Sequence, residues 1–321
     1  MREIRRTVHS PAKLGPSRTG TQQRMENAVA TSYSGKAERP VKGHRSFNWV
    51  QSRGNWTHAY NDEFLIWRSI ATELMQGIYR LGATTFAKKR VVDFCGGEGL
   101  VSDVVAKQLR EGPGVRSETF NWDLSSKNLG MHRERVRDGK SQSIPLRGDS
   151  IKSPFPNESL DGASIRFGLH YFPKDAQPQL MKEIFRVLKP GATLVVYHPD
   201  HRATLVPHVK AMAAASDMGY AERRRENYFP TRSEFKKMAE GAGFNIVKSA
   251  EVAEHWYSPE SYAERWGGND KAKKARIRAE VRGIFSEAAR QKKYSGLFRE
   301  EKGRLLKPGH HVLWVLRKPW Q

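Results

Sequence analysis

The feature that most constrains this chain is a short hydrophobic strand that ends in an acid and runs directly into a glycine-rich turn. It occupies residues 91–99, Val-Val-Asp-Phe-Cys-Gly-Gly-Glu-Gly. Only glycine lets the backbone approach a ligand closely, and a helix that begins after the turn directs free N–H groups at that ligand. The pattern is typical of nucleotide-type ligands bound by α/β folds. On its own it is weak support, because an ordinary tight turn has a similar composition.

Strands and helices alternate along the chain around this turn. Strands are predicted at 90–94, 117–122, 143–147, 160–167, 192–198, 244–253 and 310–317, and helices at 61–81, from the turn to about 109, 125–137, 174–188, 203–218 and 231–241. This alternation predicts an α/β fold with a doubly wound, seven-stranded, mainly parallel sheet. The strongly charged segment 258–300 is expected to form a helical insertion before the last strand rather than a separate domain.

Acidic residues follow three successive predicted strands. Asp93 ends the first strand, Asp123 ends the second, and Asp149 follows the third in the tripeptide Gly148-Asp149-Ser150. In nucleotide-binding βαβ units an acid after the second strand accepts hydrogen bonds from ribose hydroxyls. Asp149 is suited to an adenine edge, although a turn or cap residue explains it equally well. Because all three acids belong to the carboxyl edge of the sheet, they predict a nucleotide-type cofactor site there.

These motifs resemble those of the class I S-adenosylmethionine-dependent methyltransferases, and most closely the branch with the ubiquinone/menaquinone-biosynthesis C-methyltransferases. The matching positions are Asp93, Gly97, Gly99, Asp123, Gly148-Asp149, Ser159-Leu160-Asp161, Phe167-Gly168-Leu169 and 185–191, Phe-Arg-Val-Leu-Lys-Pro-Gly. In the last of these, Lys189 is expected to close a helix at its negative end. The resemblance covers about residues 55–320 and implies S-adenosyl-L-methionine as cofactor. The cofactor-binding residues expected on this basis are Asp93, Cys95, Gly97, Gly99, Asp123, Leu124, Asp149, Ser150 and Phe167.

Cys95 departs from the family pattern, which has a glycine at this position. Two outcomes are open: its small side chain fits beside the cofactor without consequence, or it weakens cofactor binding. Cys95 is also the only cysteine of the chain. An intramolecular disulfide and a multi-cysteine zinc site are therefore excluded, and no metal is expected.

The acceptor side of the site is expected after the fourth strand. Methyl transfer from a sulfonium needs an in-line approach and exclusion of water, and a base only where the acceptor carries a proton. His170 is predicted as that base or as an acceptor-orienting group, with Tyr171 beside it, and a surface-loop position without a role is the alternative. The chain has no Asn/Asp-Pro-Pro-aromatic tetrapeptide there and no cysteine nucleophile. These absences argue against amino-group methylation and cytosine C5 methylation, and the resemblance implies a small-molecule acceptor, aromatic or isoprenoid.

Positive charge is concentrated at the two ends of the chain. The formal net charge is +22; residues 1–50 hold ten Lys and Arg against three Asp and Glu, and residues 260–321 hold sixteen against seven. This pattern favours RNA or another anionic surface as a partner, or is no more than a basic, solvated surface. Residues 1–50 lack apolar periodicity and are expected to form a disordered basic arm outside the methyltransferase domain of 55–320.

The basic start of the chain also bears on its location. Its arginine-rich, acid-poor composition is weakly similar to a transit peptide. No apolar stretch reaches the ~20 residues of a transmembrane helix. We therefore expect an intracellular protein of the cytoplasm or mitochondrion.

Three functions are open at this point. The first is a small-molecule methyltransferase. The second is an RNA methyltransferase or a catalytically weak component of an organellar ribonucleoprotein. The third is an interaction module that keeps the fold without activity, for which Cys95 is the only indication.

Overall fold

The computed structural model describes residues 63–81, 89–111, 117–199, 206–217, 227–294, 296–301 and 303–320. The predicted basic arm, 1–50, lies outside the described residues, so its disorder stays a prediction. The N-terminal domain boundary at residue 55 lies outside them as well.

Helices and strands alternate as the sequence predicts. The helices are α1 (Glu63–Arg80), α2 (Leu100–Glu111), α3 (Ser126–Arg137), α4 (Gln177–Val187), α5 (Val206–Ala215), α6 (Arg232–Gly241), α7 (Pro259–Gly267) and α8 (Lys271–Ala289). The strands are β1 (Lys89–Phe94), β2 (Ser117–Asp123), β3 (Ile144–Arg147), β4 (Leu160–Arg166), β5 (Leu188–Pro199), β6 (Asn245–Tyr257), β7 (Arg299–Glu301) and β8 (Arg304–Arg317). Short 3₁₀ turns lie at Leu169–Tyr171 and Lys292–Tyr294.

The strands form one sheet in the order β3-β2-β1-β4-β5-β8-β6. The first five are parallel, whereas β8 runs antiparallel to both β5 and β6. The predicted seven-stranded, mainly parallel sheet is therefore confirmed, and the short β7 adds a hairpin with the start of β8. The strand order reverses between β1 and β4, which is where open α/β sheets bind ligands beyond the carboxyl ends of their strands.

Helix α1 packs closely on the centre of the sheet. Its apolar stripe buries Ile70 and Leu74 in a core shared with β1, α2, β5 and β8. The close approach depends on glycine: a Cβ on Gly77 would lie 2.3 Å from the Thr193 hydroxyl oxygen of β5, and one on Gly162 of β4 would lie 3.4 Å from a Leu74 methyl group. These contacts place α1 across β4 and β5.

The boundary between α4 and β5 differs from the sequence expectation. Helix α4 ends at Val187, and Lys189 lies in the strand, where its Nζ is 2.8 Å from Asp161 Oδ1 of β4. The expectation that Lys189 closes the helix is therefore wrong. The reason is Pro190, because a proline disfavours helical conformation in the residue before it.

The predicted helical insertion consists of α7 and α8, between β6 and the last strand. Ser258 caps α7 and Asp270 caps α8, each accepting a hydrogen bond from a backbone N–H of the first turn. The apolar faces of both helices pack on α5. The buried residues of this cluster are Ala211, Ala215, Tyr257, Tyr262, Ala263, Trp266, Ile277, Val281 and Phe285. Among the described residues, no helix combines the length and apolar composition that crossing a membrane requires.

Candidate active site

The glycine-rich turn leaves β1 in a tightly packed conformation. Gly97 and Gly99 have φ of +57° and +80°, which glycine adopts without strain. A Cβ on Gly99 would lie 2.6 Å from the His132 ring, whereas a Cβ on Gly97 would have no neighbour closer than 3.7 Å. Gly99 is therefore fixed by packing against the protein, and Gly97 faces open space where a ligand can approach.

Asp123, at the end of β2, is tied to this turn. Its Oδ2 accepts a hydrogen bond from the Gly97 N–H at 2.8 Å, and its Oδ1 accepts one from the Ser125 N–H at 2.7 Å. Burial raises the pKa of Asp123, and the backbone hydrogen bonds offset part of that rise. Each oxygen has a second lone pair, so the carboxylate can also accept ligand hydroxyl groups.

Asp93 is the most buried acid of the site, with 1% of its surface exposed. Its Oδ1 accepts a hydrogen bond from Ser164 Oγ at 2.7 Å, and its Oδ2 has no hydrogen-bond partner among the described residues. Burial raises the pKa of Asp93 to about 7, although the Ser164 hydrogen bond and the charge of Arg166 act in the opposite direction. The buried oxygen without a partner marks a position where a ligand donor would be favoured.

A buried polar network supports the turn from below. Asn121 Nδ2 donates to the Gly97 carbonyl at 2.8 Å and lies 2.8 Å from His132 Nδ1. The other ring nitrogen of His132 is 2.9 Å from two serine hydroxyls, which in turn contact Asp103. Burial favours a raised pKa for Asp103, but hydrogen bonds from the histidine and the serines, with the charge of Arg135, hold it below its usual value. The members of the network are Asn121, His132, Asp103, Ser141 and Ser143.

Cys95 packs against the loop that follows β4. Its Sγ lies 3.4 Å from Ser150 Oγ, and a Cβ on Gly168 would lie 2.5 Å from the Cys95 Cβ. Glycine at 168 therefore leaves the space that the cysteine side chain takes. Burial, with the nearby charge of Asp123, raises the pKa of the thiol, so it is neutral at physiological pH.

Asp149 and Leu124 occupy the side of the site toward β3. Asp149 Oδ1 accepts a hydrogen bond from the Ile151 N–H at 2.9 Å, so one oxygen serves the turn. Leu124 is half-buried, and its carbonyl accepts a hydrogen bond from Arg147 Nε at 3.2 Å. Both residues lie in the loops that follow β2 and β3, beside Asp123.

The residues predicted for the acceptor side lie in a cluster of aromatic rings after β4. Phe167 has φ of +52°, an uncommon conformation for a non-glycine residue, and its N–H donates to the Tyr197 carbonyl at 2.9 Å. The His170 ring is buried and stacks on Phe229 with centroids 4.7 Å apart and planes 13° apart, while the Tyr171 ring lies 4.3 Å away. The alternative of a surface-loop position for His170 is therefore wrong.

The comparison with protein families gives a match to the methyltransferase domain family over residues 66–249, more than half of the chain. The chain belongs to this family of methyltransferases. It is therefore a methyltransferase enzyme, and dependence on S-adenosylmethionine follows from the family.

Curated relatives of this methyltransferase include enzymes named for quinones. A 2-phytyl-1,4-naphtoquinone methyltransferase of Synechococcus elongatus is 28% identical over 211 residues, which cover 59% of this chain and 88% of the relative. The ubiquinone/menaquinone biosynthesis C-methyltransferase UbiE of Nitrosospira multiformis is 28% identical over 180 residues, covering 51% and 70%. The predicted relationship to this branch of the class I methyltransferases is confirmed.

Solved structures show the same fold. A candidate methyltransferase from Bacillus halodurans C-125 aligns with a TM-score of 0.58 at 21% identity, covering 78% of this chain and 99% of that one. The YcgJ protein of Bacillus subtilis aligns with a TM-score of 0.56 at 16% identity, with the same two coverages. The predicted Rossmann-like fold of this methyltransferase is thus confirmed.

The predicted site residues lie together at the carboxyl edge of the methyltransferase sheet. Those on the cofactor side surround the glycine-rich turn, and Phe167 lies between them and His170, whose ring centroid is 6.4 Å from that of Phe167. Sequence reasoning missed the network around Asn121 and His132. A usable signal was present, because Asn121 is a polar residue inside an otherwise buried strand.

Proposed function

We propose that the chain transfers the methyl group of S-adenosylmethionine to a ring carbon of a hydroxylated aromatic small molecule, of the naphthoquinol or benzoquinol class. The observation that carries this proposal is the group of flat rings after β4, beside the glycine-rich turn. His170 and Phe229 stack nearly parallel, with Phe167 edge-on to His170. Phe167 and Tyr171, the half-buried members of this cluster, can contact a planar aromatic ring. The names of the relatives, which refer to naphthoquinone, menaquinone and ubiquinone, support the same class.

The geometry of the glycine-rich turn fits the proposed cofactor. Asp123 offers a carboxylate with free lone pairs for ribose hydroxyls, and Gly97 opens beside it. When bound, S-adenosylmethionine supplies a methyl group activated by its sulfonium. The residues proposed to hold it are Asp93, Cys95, Gly97, Gly99, Asp123, Leu124, Asp149, Ser150 and Phe167.

His170 and Tyr171 are proposed to act on the acceptor. His170 is held by its neighbours: its carbonyl accepts from the Tyr228 N–H at 3.1 Å, and Gln177 Nε2 donates to the carbonyls of Leu169 and Tyr228. An imidazole fixed in this way can orient the acceptor ring and take the proton that leaves the methylated carbon. Tyr171 packs on its ring and keeps it in place.

The helical insertion is proposed to cover the acceptor. Helix α7 begins where β6 reaches the carboxyl edge of the sheet, and the Tyr262 hydroxyl of α7 is hydrogen-bonded to His208 Nδ1 of α5. A cover at this edge would exclude water from the transfer. Hydrogen exchange tests this: S-adenosylhomocysteine with a naphthol should slow amide exchange in 259–267. Unchanged exchange in the presence of bound naphthol would contradict the cover.

RNA remains the second candidate partner, on the basis of the charge at the chain ends. Several basic residues of α8 are paired: Lys273 Nζ lies 3.0 Å from Asp217 and Arg282 lies 3.2 Å from Glu260. The charge of this helix is therefore partly neutralised. The proposal of an RNA partner thus rests mainly on the basic arm 1–50. RNA binding of this kind should fall steeply with salt.

A competition between acceptors tests the proposed function. Purified protein receives methyl-labelled cofactor together with 1,4-dihydroxynaphthalene, an isoprenoid diphosphate and a short RNA, and mass spectrometry locates the label. We expect the label in the naphthalene. Label in the isoprenoid or the RNA alone would contradict the proposed acceptor class.

A further inference from the structure

A group of buried, basic and phenolic side chains lies next to the acceptor-side rings. Each member has less than a tenth of its surface exposed, and Lys307 has none. They come from α5, the end of β6, α7 and β8. The group, called the basic wall below, consists of His208, Tyr257, Tyr262, Lys307 and His311.

Ring contacts join the basic wall to the site after β4. The His311 ring is 5.1 Å from the Phe167 ring, and His311 Nε2 is 3.5 Å from the Tyr257 hydroxyl. The His208 ring lies 4.5 Å from the Tyr257 ring, and its Nδ1 is bonded to the Tyr262 hydroxyl. The wall is therefore continuous with the acceptor-side rings, and through Tyr257 and Tyr262 it also borders the core of the insertion.

Lys307 lies within this wall because of the strand register. It stands directly opposite Tyr257 in the antiparallel pair of β6 and β8. Opposed residues of such a pair share a face, and so do residues two and four positions apart along one strand. Lys307 therefore shares its face with Tyr257 and, four positions along β8, with His311, and the charges of Lys307 and His311 both act on His208.

The electrostatics of the wall favour an anion. Burial lowers the pKa of Lys307 to about 7. Burial also lowers the pKa of His208 well below its usual value, and the charges that add to this effect come from Lys307, His311, Arg265 and His170. These charged groups are all basic. A ligand oxygen with negative charge would interact favourably with these basic groups.

We propose that the basic wall binds the hydroxyl oxygen of the aromatic acceptor and that the Lys307 amine takes its proton, which makes the adjacent ring carbon nucleophilic. This inference rests on the proposed function. The acceptor O–H bond breaks and an N–H bond forms on Lys307, leaving an aryloxide beside an ammonium. The ring carbon then forms its bond to the methyl group while the carbon–sulfur bond of the sulfonium donor breaks and leaves its electron pair on sulfur.

Residues of the same site accept and return the protons of this reaction. The methylated ring carbon loses its hydrogen as a proton to His170, from which it passes to water, and the Lys307 ammonium returns its proton to the oxygen. One proton is released per methyl group transferred. A lysine whose pKa lies near the working pH is suited to this exchange, because both of its protonation states are accessible.

A chromophoric naphthol tests the proposal through binding alone. The full-length protein, saturated with S-adenosylhomocysteine, is titrated with 4-nitro-1-naphthol, whose aryloxide absorbs visible light. We expect the pKa of the bound naphthol to fall by about one unit or more, which corresponds to at least about tenfold tighter binding of the aryloxide. Lys307→Met should abolish this change. Arg304→Met, which removes an exposed charge from the same strand, should retain it.

A second variant distinguishes the proton-accepting role of Lys307 from the effect of its positive charge. Lys307→Arg keeps the cation but cannot accept a proton, because arginine stays protonated. It should still bind the aryloxide, while methyl transfer to 1,4-dihydroxynaphthalene falls about a hundredfold. Turnover equal to that of the wild type would overturn the role of Lys307 as a base.

The outcomes distinguish this proposal from the proposed function. Wild-type protein that neither binds the naphthol nor methylates it contradicts the acceptor class. If the wild-type protein binds and methylates the naphthol, and the bound naphthol has the same pKa in Lys307→Met as in the wild type, only the role of the basic wall is overturned. The thermal shift with S-adenosylhomocysteine reports whether each variant folds. Should Lys307→Met fail to fold, Tyr257→Phe replaces it, and unchanged ionisation of the bound naphthol in that variant overturns the proposal.

Discussion

At pH values above neutral, replacing Asp93 by asparagine should raise the free energy of unfolding. The same substitution should weaken cofactor binding. Burial raises the pKa of this carboxyl from 3.8 to about 7, so the folded protein holds a proton that the unfolded chain has already released. Between these two values stability falls as pH rises, because the folded state binds more protons. Above about pH 7 the full cost of a buried carboxylate is present.

The structure gives the size of this effect. One pKa unit corresponds to about 1.4 kcal/mol, and from about pH 5 to about pH 7 only the unfolded chain ionises. The advantage of Asp93→Asn over the wild type should therefore grow by about 3 kcal/mol between pH ~5 and pH ~8. Asparagine keeps an acceptor for Ser164.

Urea unfolding at the two pH values measures the difference directly. Asp138→Asn is the control, because that side chain is exposed. Calorimetry with S-adenosylhomocysteine should show about tenfold weaker binding to Asp93→Asn, or about 1.4 kcal/mol. An advantage that does not grow with pH would refute the account of Asp93 as a buried acid kept for binding at the expense of stability.

Three further predictions concern the cofactor turn and the arm. Asp123→Ala should weaken S-adenosylhomocysteine binding by about 1.5–3 kcal/mol in calorimetry, because charge-assisted hydrogen bonds are lost; unchanged affinity would show that Asp123 does not contact the ligand. Gly99→Ala should lower the urea midpoint, since its Cβ would lie 2.6 Å from the His132 ring, whereas Gly130→Ala in open space should not; equal midpoints would contradict the packing argument. Deletion of 1–50 should leave cofactor affinity unchanged, and loss of binding would place the arm in the domain.

The sequence predicted the parts of the fold that depend on local patterns. The strand ends with Asp93, Asp123 and Asp149 could be located because hydrophobic strands, acids and glycines lie within a few residues of one another. The parallel order then followed from general rules of α/β topology. The expected role of Lys189 was wrong, because α4 already ends at Val187 and Lys189 lies in β5.

Other parts of the site depend on contacts between distant segments. Lys307 and Tyr257 are separated by the helical insertion and meet only through the register of β6 and β8. The network of Asn121 and His132 likewise joins β2, α2, α3 and the loop before β3. A single sequence contains no record of such pairings. The local signs were limited to the polar Asn121 inside a buried strand and to a lysine on the same face of a strand as a buried histidine.

The most direct test of the account is the position of the transferred methyl group. Purified protein is incubated with S-adenosylmethionine carrying a carbon-13 methyl group and with 1,4-dihydroxynaphthalene, and the product is examined by carbon-13 NMR. The account predicts a methyl resonance of the aryl–carbon type that is strongly reduced in Asp123→Ala. A methoxy resonance alone, or an unmodified naphthalene while the protein binds both molecules, would contradict it.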